Sequence, residues 1–183
     1  KDEITDEKVI VNIAAGKNIS DIKKHFDKNI KVIRVMPNTP ALVNEAMSVI
    51  FPDDYSDKED ILIVEDIFNS LGKTEILDES LIHAVIGVSG SSPAYVYMFI
   101  EALADAGVTE GLSRDIAYKL AAQAVLGSAK MVLDTNIHPG NLKDNVSSPG
   151  GTTIKAVSSL EQTGFRGSII RAVDECIKKS KSM

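Results

Sequence analysis

The chain has 183 residues, of which 44% are hydrophobic and 25% are charged, and its formal net charge at pH 7 is −6. A chain of this size can bury a substantial core in one large or two small domains. The acidic balance argues against a nucleic-acid partner, because phosphate neutralisation requires clustered Lys and Arg. No apolar run approaches the roughly 20 residues that span a bilayer, and no signal peptide opens the chain. We therefore predict a cytoplasmic protein with no membrane partner.

Cysteine and histidine are too sparse to suggest a disulfide or a metal centre. The single cysteine, Cys176, excludes an internal disulfide, and the three histidines are scattered along the chain. None of them has the i, i+4 spacing of helical metal ligands, so we predict no metal site. Cys176 falls in a helical apolar pattern, where a buried small hydrophobe is the expected role.

Strand and helix patterns alternate through residues 1–80. Residues 9–15 form an apolar run typical of a covered strand, Asn18 can cap a helix, and residues 31–36 form a second strand that stops at Pro37. A strand, a helix and a strand at this spacing predict a parallel βαβ unit. Further elements are predicted as a strand at 47–51, a helix capped by Ser56 and Glu59, and a strand at 73–77.

Helical patterns replace the strand period from Asp78 onward, so we place a domain boundary after residue 80 and predict an all-helical domain over 81–183. The helix over 116–133 is apolar around most of its circumference, as helices buried on several sides usually are. Too few helices remain in this half to cover it. We predict that the half packs against a second copy of itself, by interleaving, with a compact monomeric bundle as the alternative.

Two loops at the carboxyl ends of the first two predicted strands are candidates for ligand binding. Residues 14–16 read Ala-Ala-Gly and residues 36–40 read Met-Pro-Asn-Thr-Pro. Ligands in open α/β sheets bind outside these strand ends, so Asn38 and Thr39 would be polar groups beside a crevice. A rigid turn fixed by its two prolines explains the second loop equally well.

A third candidate is the segment Ser-Pro-Gly-Gly-Thr-Thr at residues 148–153, directly before a helical pattern. The amides of Gly150 to Thr153 would then begin a helix, where they have no intrahelical acceptors. Glycine lets an anion reach such amides without meeting a Cβ, and the helix dipole favours negative charge. The alternative is an ordinary helix capped by Ser147 or Ser148, but a single cap does not need paired Gly and paired Thr. We favour an anion site.

These motifs together resemble pyrroline-5-carboxylate reductases. The resemblance runs in unbroken order from about Val9 to the C-terminus, through AAG, MPNTPALVNEAM, GVSGSSPAYVYMFIEALADAGV, GLSRDIAYKLAAQAVLGSAKM, HPGNLKDNVSSPGGTTIKAVSSLE and GFR. It implies reduction of 1-pyrroline-5-carboxylate to L-proline with NADPH or NADH. It also implies a partial Rossmann-like parallel sheet followed by a helical dimerisation domain, like the C-terminal domain of 6-phosphogluconate dehydrogenase, in a homodimer or higher oligomer.

The resemblance also assigns residues to roles. Thr153 would be the catalytic hydroxyl nearest the ring nitrogen of the substrate. The substrate carboxylate would lie against Ser148, Gly150, Gly151, Thr152 and Thr153. The cofactor would contact Ala14, Ala15, Gly16, Met36, Pro37, Asn38, Thr39 and Pro40.

The chain departs from the family pattern in three ways. Ala46 and Ser92 stand where the family usually has Gly, and the sequence contains no glycine-rich G-x-G-x-x-G turn for a pyrophosphate. We therefore expect about the first half of the Rossmann domain to be missing, and we expect this chain on its own to bind NAD(P)H poorly and to have little or no activity. Two other functions stay open. One is a hydroxy-acid dehydrogenase of the same plan, with Lys143 or Lys155 as base, and the other is a carboxylate-binding dimerisation module.

Overall fold

The computed structural model describes residues 4–5 and 7–183, and the chain divides into two compact units. The sheet unit consists of Lys1–Pro93 and Val173–Met183, and the helical unit consists of Ala94–Ala172. These units are defined by packing, whereas the boundary after residue 80 separates strand patterns from helix patterns. That boundary therefore stays a prediction.

The sheet unit contains four strands in the order β1-β2-β3-β4. The strands are β1 at Val9–Asn12, β2 at Lys31–Met36, β3 at Ala46–Pro52 and β4 at Gly72–Ile76. β1 pairs with β2 in parallel, as the βαβ pattern predicts, and β3 pairs with β4 in parallel. The predicted α/β class is confirmed. The first strand ends at Asn12, three residues before the end of the apolar run at 9–15.

One strand pair in this sheet is antiparallel. β2 and β3 run in opposite directions, with Val35 opposite Ile50 and Met36 opposite Val49. A parallel crossover needs a dozen or more residues, and the connection here is only a short 3₁₀ turn at Thr39–Val43. The sheet is therefore mixed rather than wholly parallel.

The helices of the sheet unit cover both faces of the sheet. The helices are α1 at Ile19–Lys23, α2 at Lys58–Asn69 and α3 at Ile82–Val85, which continues as a π-helical turn at Ile86–Gly90. On one face α2 packs Val64 and Phe68 against Ile33, Val35 and Ile50. On the other face α3 packs Ile82 and Val85 against Val49 and Phe51. Alternate residues of β3 thus reach different layers, as strand geometry requires.

The cap of α2 differs from the predicted Ser56–Glu59 box. Asp57 is the N-cap, and it accepts hydrogen bonds from the backbone amides of Glu59 and Asp60. Ser56 is engaged elsewhere, because its hydroxyl donates to Asp53 Oδ1 at 2.6 Å. A competing acceptor close to the predicted cap therefore moved the start of the helix by one residue.

The helical unit buries very little of its own apolar surface. Its elements are α4 at Ser92–Thr109, α5 at Arg114–Thr135, α6 at Pro139–Asn145, α7 at Thr152–Gln162 and the start of α8 at Phe165–Lys181. Among the described residues of this unit, only Ala104, Ala117 and Ala121 are buried hydrophobic residues. Among the described residues, no helix is both long enough and apolar enough to cross a membrane.

Candidate functional site

A cavity of about 280 Å³ lies beside the carboxyl ends of β1 and β2. Ala15 and Gly16, which follow β1, and Met36, which ends β2, line it. The polar side chains of the lining come from the α3 side of the sheet and from the end of α8, and include Arg34, His83, Ser91, Cys176, Lys179 and Ser180. We call this space the strand-end cavity. Its position is the one that open α/β sheets use for ligands.

The turn that carries Ala15 and Gly16 is held by Asn12, the one polar residue in the apolar run at 9–15. Asn12 is 7% exposed. Its Oδ1 accepts the Ala14 amide at 2.9 Å, and its Nδ2 donates to the Lys17 carbonyl at 3.0 Å. A lone Asn in a buried strand was the signal for this role, because a buried amide must find partners.

Asn38 is bonded within the protein through both polar atoms of its side chain. Its Oδ1 accepts the Met47 amide at 3.1 Å, and its Nδ2 donates to the Ser89 carbonyl at 3.2 Å. The side chain thus ties the loop after β2 to the start of β3 and to the π-helical turn. The exposed Thr39 and the partly exposed Pro40 begin the 3₁₀ turn.

Of the residues predicted to bind cofactor, Ala15, Gly16 and Met36 are therefore brought to one cavity. The other predicted residues are not among the lining of this cavity, and they are Ala14, Pro37, Asn38, Thr39 and Pro40. Their contact with a cofactor stays a prediction.

The segment Ile86–Gly90, which contains Ser89, forms a π-helical turn. The Ser91 amide donates to the Ile86 carbonyl at 2.8 Å. A Cβ on Gly90 would lie 2.9 Å from Met36 Cε, and a Cβ on Gly87 would lie 3.0 Å from side-chain atoms of α8. The small residues therefore allow close packing against side chains of this chain.

Several polar groups of the strand-end cavity are paired across the sequence. His83 Nδ1 lies 2.8 Å from Ser180 Oγ, and Cys176 Sγ lies 3.2 Å from Ser91 Oγ. Cys176 is partly exposed, so its prediction as a core residue was wrong. The reason is that α8 turns this side chain toward a serine beside the cavity.

An ion pair between buried Arg34 and partly exposed Glu79 supports the wall of the cavity. Arg34, 7% exposed, donates from Nη1 to Glu79 Oε1 at 2.9 Å. The same carboxylate oxygen accepts the Ile19 amide, the first of α1, at 3.0 Å. Glu79 thereby joins β2 to the start of α1.

The segment 148–153 lies in the helical unit and opens α7 as predicted. The N-cap is Gly151, and no side chain caps the helix, so neither Ser147 nor Ser148 plays that part. The Gly151 amide donates to the Ser148 carbonyl at 3.0 Å and is not free. Within the described chain, the amides of Thr152 and Thr153 have no protein acceptor. Two of the four predicted anion donors therefore begin the helix with their hydrogens unused.

Gly150 adopts φ +70°, and nothing lies within 4 Å of the position that a Cβ would take. This backbone conformation favours glycine, and the open space leaves the helix start accessible. Thr152 and Thr153 are both exposed. The geometry is that of an accessible helix N-terminus.

The pKa shifts in the sheet unit arise from ion pairs and helix caps. Hydrogen bonds from the backbone amide of Asp60 and from the Lys31 ammonium lower the pKa of Asp57. The carboxylates of Asp60 and Asp57 in turn raise the pKa of Lys31. A hydrogen bond from Ser80 lowers the pKa of Asp78, which caps the turn at Glu79–Leu81. Among the described residues, no group of three or more His, Cys, Asp or Glu side chains is placed to hold a metal ion.

Comparison with known proteins agrees with these motifs. Residues 79–183 match the family model described as pyrroline-5-carboxylate reductase dimerisation. The pyrroline-5-carboxylate reductase of Escherichia coli (strain K12) is 53% identical over 175 residues, which are 96% of this chain and 65% of that protein. The chain thus spans slightly less than two thirds of the length of that relative.

Solved structures give the same result for the fold. The chain is similar to the Plasmodium falciparum pyrroline carboxylate reductase with NADP bound, with a TM-score of 0.88 and 38% identity, over 96% of this chain and 71% of that one. The structure of a Coxiella burnetii pyrroline-5-carboxylate reductase gives a TM-score of 0.91 and 32% identity, over 95% of this chain and 65% of that one. The chain belongs to the pyrroline-5-carboxylate reductase family.

Proposed function

We propose that this protein serves the reduction of 1-pyrroline-5-carboxylate to L-proline with NADPH or NADH. Two local observations support the proposal, one in each unit. Ala15, Gly16 and Met36 line a cavity at the strand ends, and Thr152 and Thr153 open a helix with unused amides. The cytoplasmic location expected from the sequence remains a prediction.

The strand-end cavity fits one end of a dinucleotide. Its volume of about 280 Å³ is small for a ligand site, since such pockets usually hold about 300 to 1,000 Å³. Gly16, with φ +70°, leaves the backbone approachable, because among the described residues the one atom within 4 Å of a Cβ there would be Met183 Cε, at 4.0 Å. A nicotinamide ring bound at this end would supply the hydride.

The start of α7 is proposed to hold the substrate carboxylate. The amides of Thr152 and Thr153 point out of a helix N-terminus, where the dipole favours an anion, and Gly150 adds no side chain that would block the approach. Ser148 and Gly151 complete the proposed substrate loop. Anchoring the carboxylate would limit the orientations that the imine ring can adopt, which lowers the entropic part of the barrier.

Thr153 is proposed to donate a hydrogen bond to the ring nitrogen. Protonation of that nitrogen makes the imine an iminium, and the electron pair of the C=N bond moves to nitrogen as carbon accepts the hydride. One hydride and one proton thus convert the imine to the amine. No strong base is required, since the reaction takes up a proton at nitrogen.

We also propose a homodimer. The helical unit exposes Leu120, Leu126 and Leu133 of α5 by 58%, 54% and 70%, while its buried apolar residues are three alanines. Exposed apolar surface on this scale marks an association surface. The match to a dimerisation model over 79–183 supports the same conclusion.

The reductase assay uses a chain of the length of the Escherichia coli relative, of which this chain covers 65%. We would fuse to this chain the residues of the Escherichia coli relative that have no counterpart in it, and follow oxidation of NADPH and of NADH with 1-pyrroline-5-carboxylate. Turnover is expected, and Thr153→Val should lower kcat by about tenfold, the value of one lost hydrogen bond in the transition state. Thr152→Val is the matched control, because it removes a neighbouring hydroxyl from the same helix start.

The outcomes separate the proposal from its alternatives. No turnover in a folded fusion, combined with thermal stabilisation by L-proline, would favour a carboxylate-binding module. Turnover on a hydroxy acid that disappears with Lys143→Ala or Lys155→Ala would favour the other dehydrogenase. Equal effects of the two threonine substitutions would remove the special role of Thr153.

A further inference from the structure

The wall of the strand-end cavity is positively charged. Its lining contains the cations Arg34 and Lys179 and no Asp or Glu side chain among the described residues. The proposed function assigns Ala15, Gly16 and Met36 of this cavity to the cofactor and gives the two cations no part. Their charge acts on whatever portion of the cofactor binds beside them.

The two cations differ in how far their charge is balanced. Arg34 donates from Nη1 to Glu79 Oε1 at 2.9 Å, so a carboxylate neutralises the guanidinium. Lys179 forms no ion pair with any residue that the structure describes. Glu175 lies one helical turn before Lys179, but its carboxylate is bound to Lys178 Nζ at 2.7 Å. The Lys179 ammonium is therefore the unbalanced charge of the lining.

The other titratable side chains of the lining do not balance this ammonium. His83 Nδ1 lies 2.8 Å from Ser180 Oγ, and the Cys176 thiol donates to Ser91 Oγ at 3.2 Å. A histidine and a protonated thiol carry no negative charge. The electrostatic potential in the cavity is therefore set chiefly by the lysine at the end of α8.

The nicotinamide ring is the part of the cofactor whose charge changes in the proposed reaction. The reduced ring is neutral, whereas the oxidised ring carries a positive charge. A nearby ammonium therefore raises the free energy of the bound oxidised ring and has little effect on the reduced ring. The phosphates of the cofactor attract the same ammonium in both forms, so that attraction cancels when the two affinities are compared.

We propose that Lys179 makes the strand-end cavity prefer the reduced cofactor to the oxidised one. The inference rests on the proposed function, which places the nicotinamide at this end of the sheet. Such a preference favours release of the spent cofactor after hydride transfer. Lys179 is exposed and solvent screens its charge, so we expect an effect of about threefold on the ratio of the two dissociation constants.

The test is cofactor binding to the fusion protein of the reductase assay, with substitutions at two lysines of α8. Lys179→Gln removes the charge at the cavity, and Lys179→Arg retains it. Lys181→Gln is the matched control, because it removes the same charge from the same helix end at an exposed residue outside the cavity lining. Fluorescence titration gives the Kd of the reduced cofactor, NADPH or NADH, and displacement by the oxidised form gives the second Kd. Circular dichroism checks that each variant is folded.

The ratio of the oxidised to the reduced Kd should fall by about threefold in Lys179→Gln and stay unchanged in Lys179→Arg and Lys181→Gln. An unchanged ratio in Lys179→Gln overturns the inference, even if both Kd values rise, because that pattern places the lysine at a phosphate. An equal fall in Lys181→Gln also overturns it, since the effect then belongs to the net charge of the helix end. A folded fusion that binds neither form contradicts the proposed function itself, and the inference fails with it.

Discussion

Replacing Asn38 by alanine tests whether this residue acts through the fold or by touching a ligand. The change removes two hydrogen bonds, one from the Met47 amide at 3.1 Å and one to the Ser89 carbonyl at 3.2 Å. A typical hydrogen bond contributes about 0.5 to 1.5 kcal/mol net, so Asn38→Ala should lower the free energy of unfolding by about 1 to 3 kcal/mol. The measurement is urea unfolding of the ligand-free chain, followed by circular dichroism.

Two further variants make this test specific. Thr39→Ala changes the next residue, which is exposed and makes no side-chain hydrogen bond among the described residues, so its free energy of unfolding should change by less than about 0.5 kcal/mol. Asn38→Asp retains an acceptor for Met47 but places a carboxylate oxygen against the Ser89 carbonyl. It should therefore also destabilise the chain at neutral pH. Hydrogen exchange at the Met47 amide should accelerate in Asn38→Ala. If Asn38→Ala is as stable as the wild type, or Thr39→Ala is equally unstable, the positioning role is refuted.

Three other substitutions test the local physics. Gly150→Ala should cost about 1 kcal/mol by thermal unfolding, because φ is +70° although space for a Cβ is open. Ser48→Ala should stabilise the chain by about 1 kcal/mol in urea, since the serine is fully buried and its hydroxyl has no hydrogen-bond partner among the described residues. Burial raises the pKa of Asp53, but hydrogen bonds from Lys23 and Ser56 outweigh it and hold the pKa below its usual value. That carboxylate therefore stabilises the fold above about pH 4, and its contribution is lost as the pH falls through the lowered pKa. Asp53→Asn should narrow the difference between urea midpoints at pH 7 and at pH 3.

Each of these three predictions has a result that would contradict it. Unchanged stability in Gly150→Ala would mean that the loop tolerates a side chain in this conformation. A loss of stability in Ser48→Ala would mean that the hydroxyl has a partner, such as an ordered water. An unchanged pH dependence in Asp53→Asn would mean that the ion pair with Lys23 contributes nothing to folding.

Local patterns predicted the local elements of this fold. The βαβ unit, the cap at Asn18 and the start of α7 all depend on residues within a few positions of one another. The antiparallel direction of β3 could also have been predicted from the sequence, because the residues between β2 and β3 are too few for a parallel crossover. What no spacing reveals is the contact of Cys176 with Ser91, which are 85 residues apart in the chain. Contacts of that kind depend on how α8 folds back onto the sheet unit.

In the candidate site, too, features that depend on neighbouring residues could be predicted from the sequence, whereas contacts between residues far apart in the chain could not. The strand-end loops were identified because parallel strands bring their carboxyl ends to one edge. The sequence could not show that Asn38 would direct its amide to Ser89, since a loop Asn between prolines looks equally suited to a ligand. A Cβ on Gly90 would lie 2.9 Å from Met36 Cε, so glycine at this position lets the π-helical turn pack beside Met36 without displacing it. The loop and the turn therefore specify each other, and the residues that join them are as necessary to the cavity as the residues that line it.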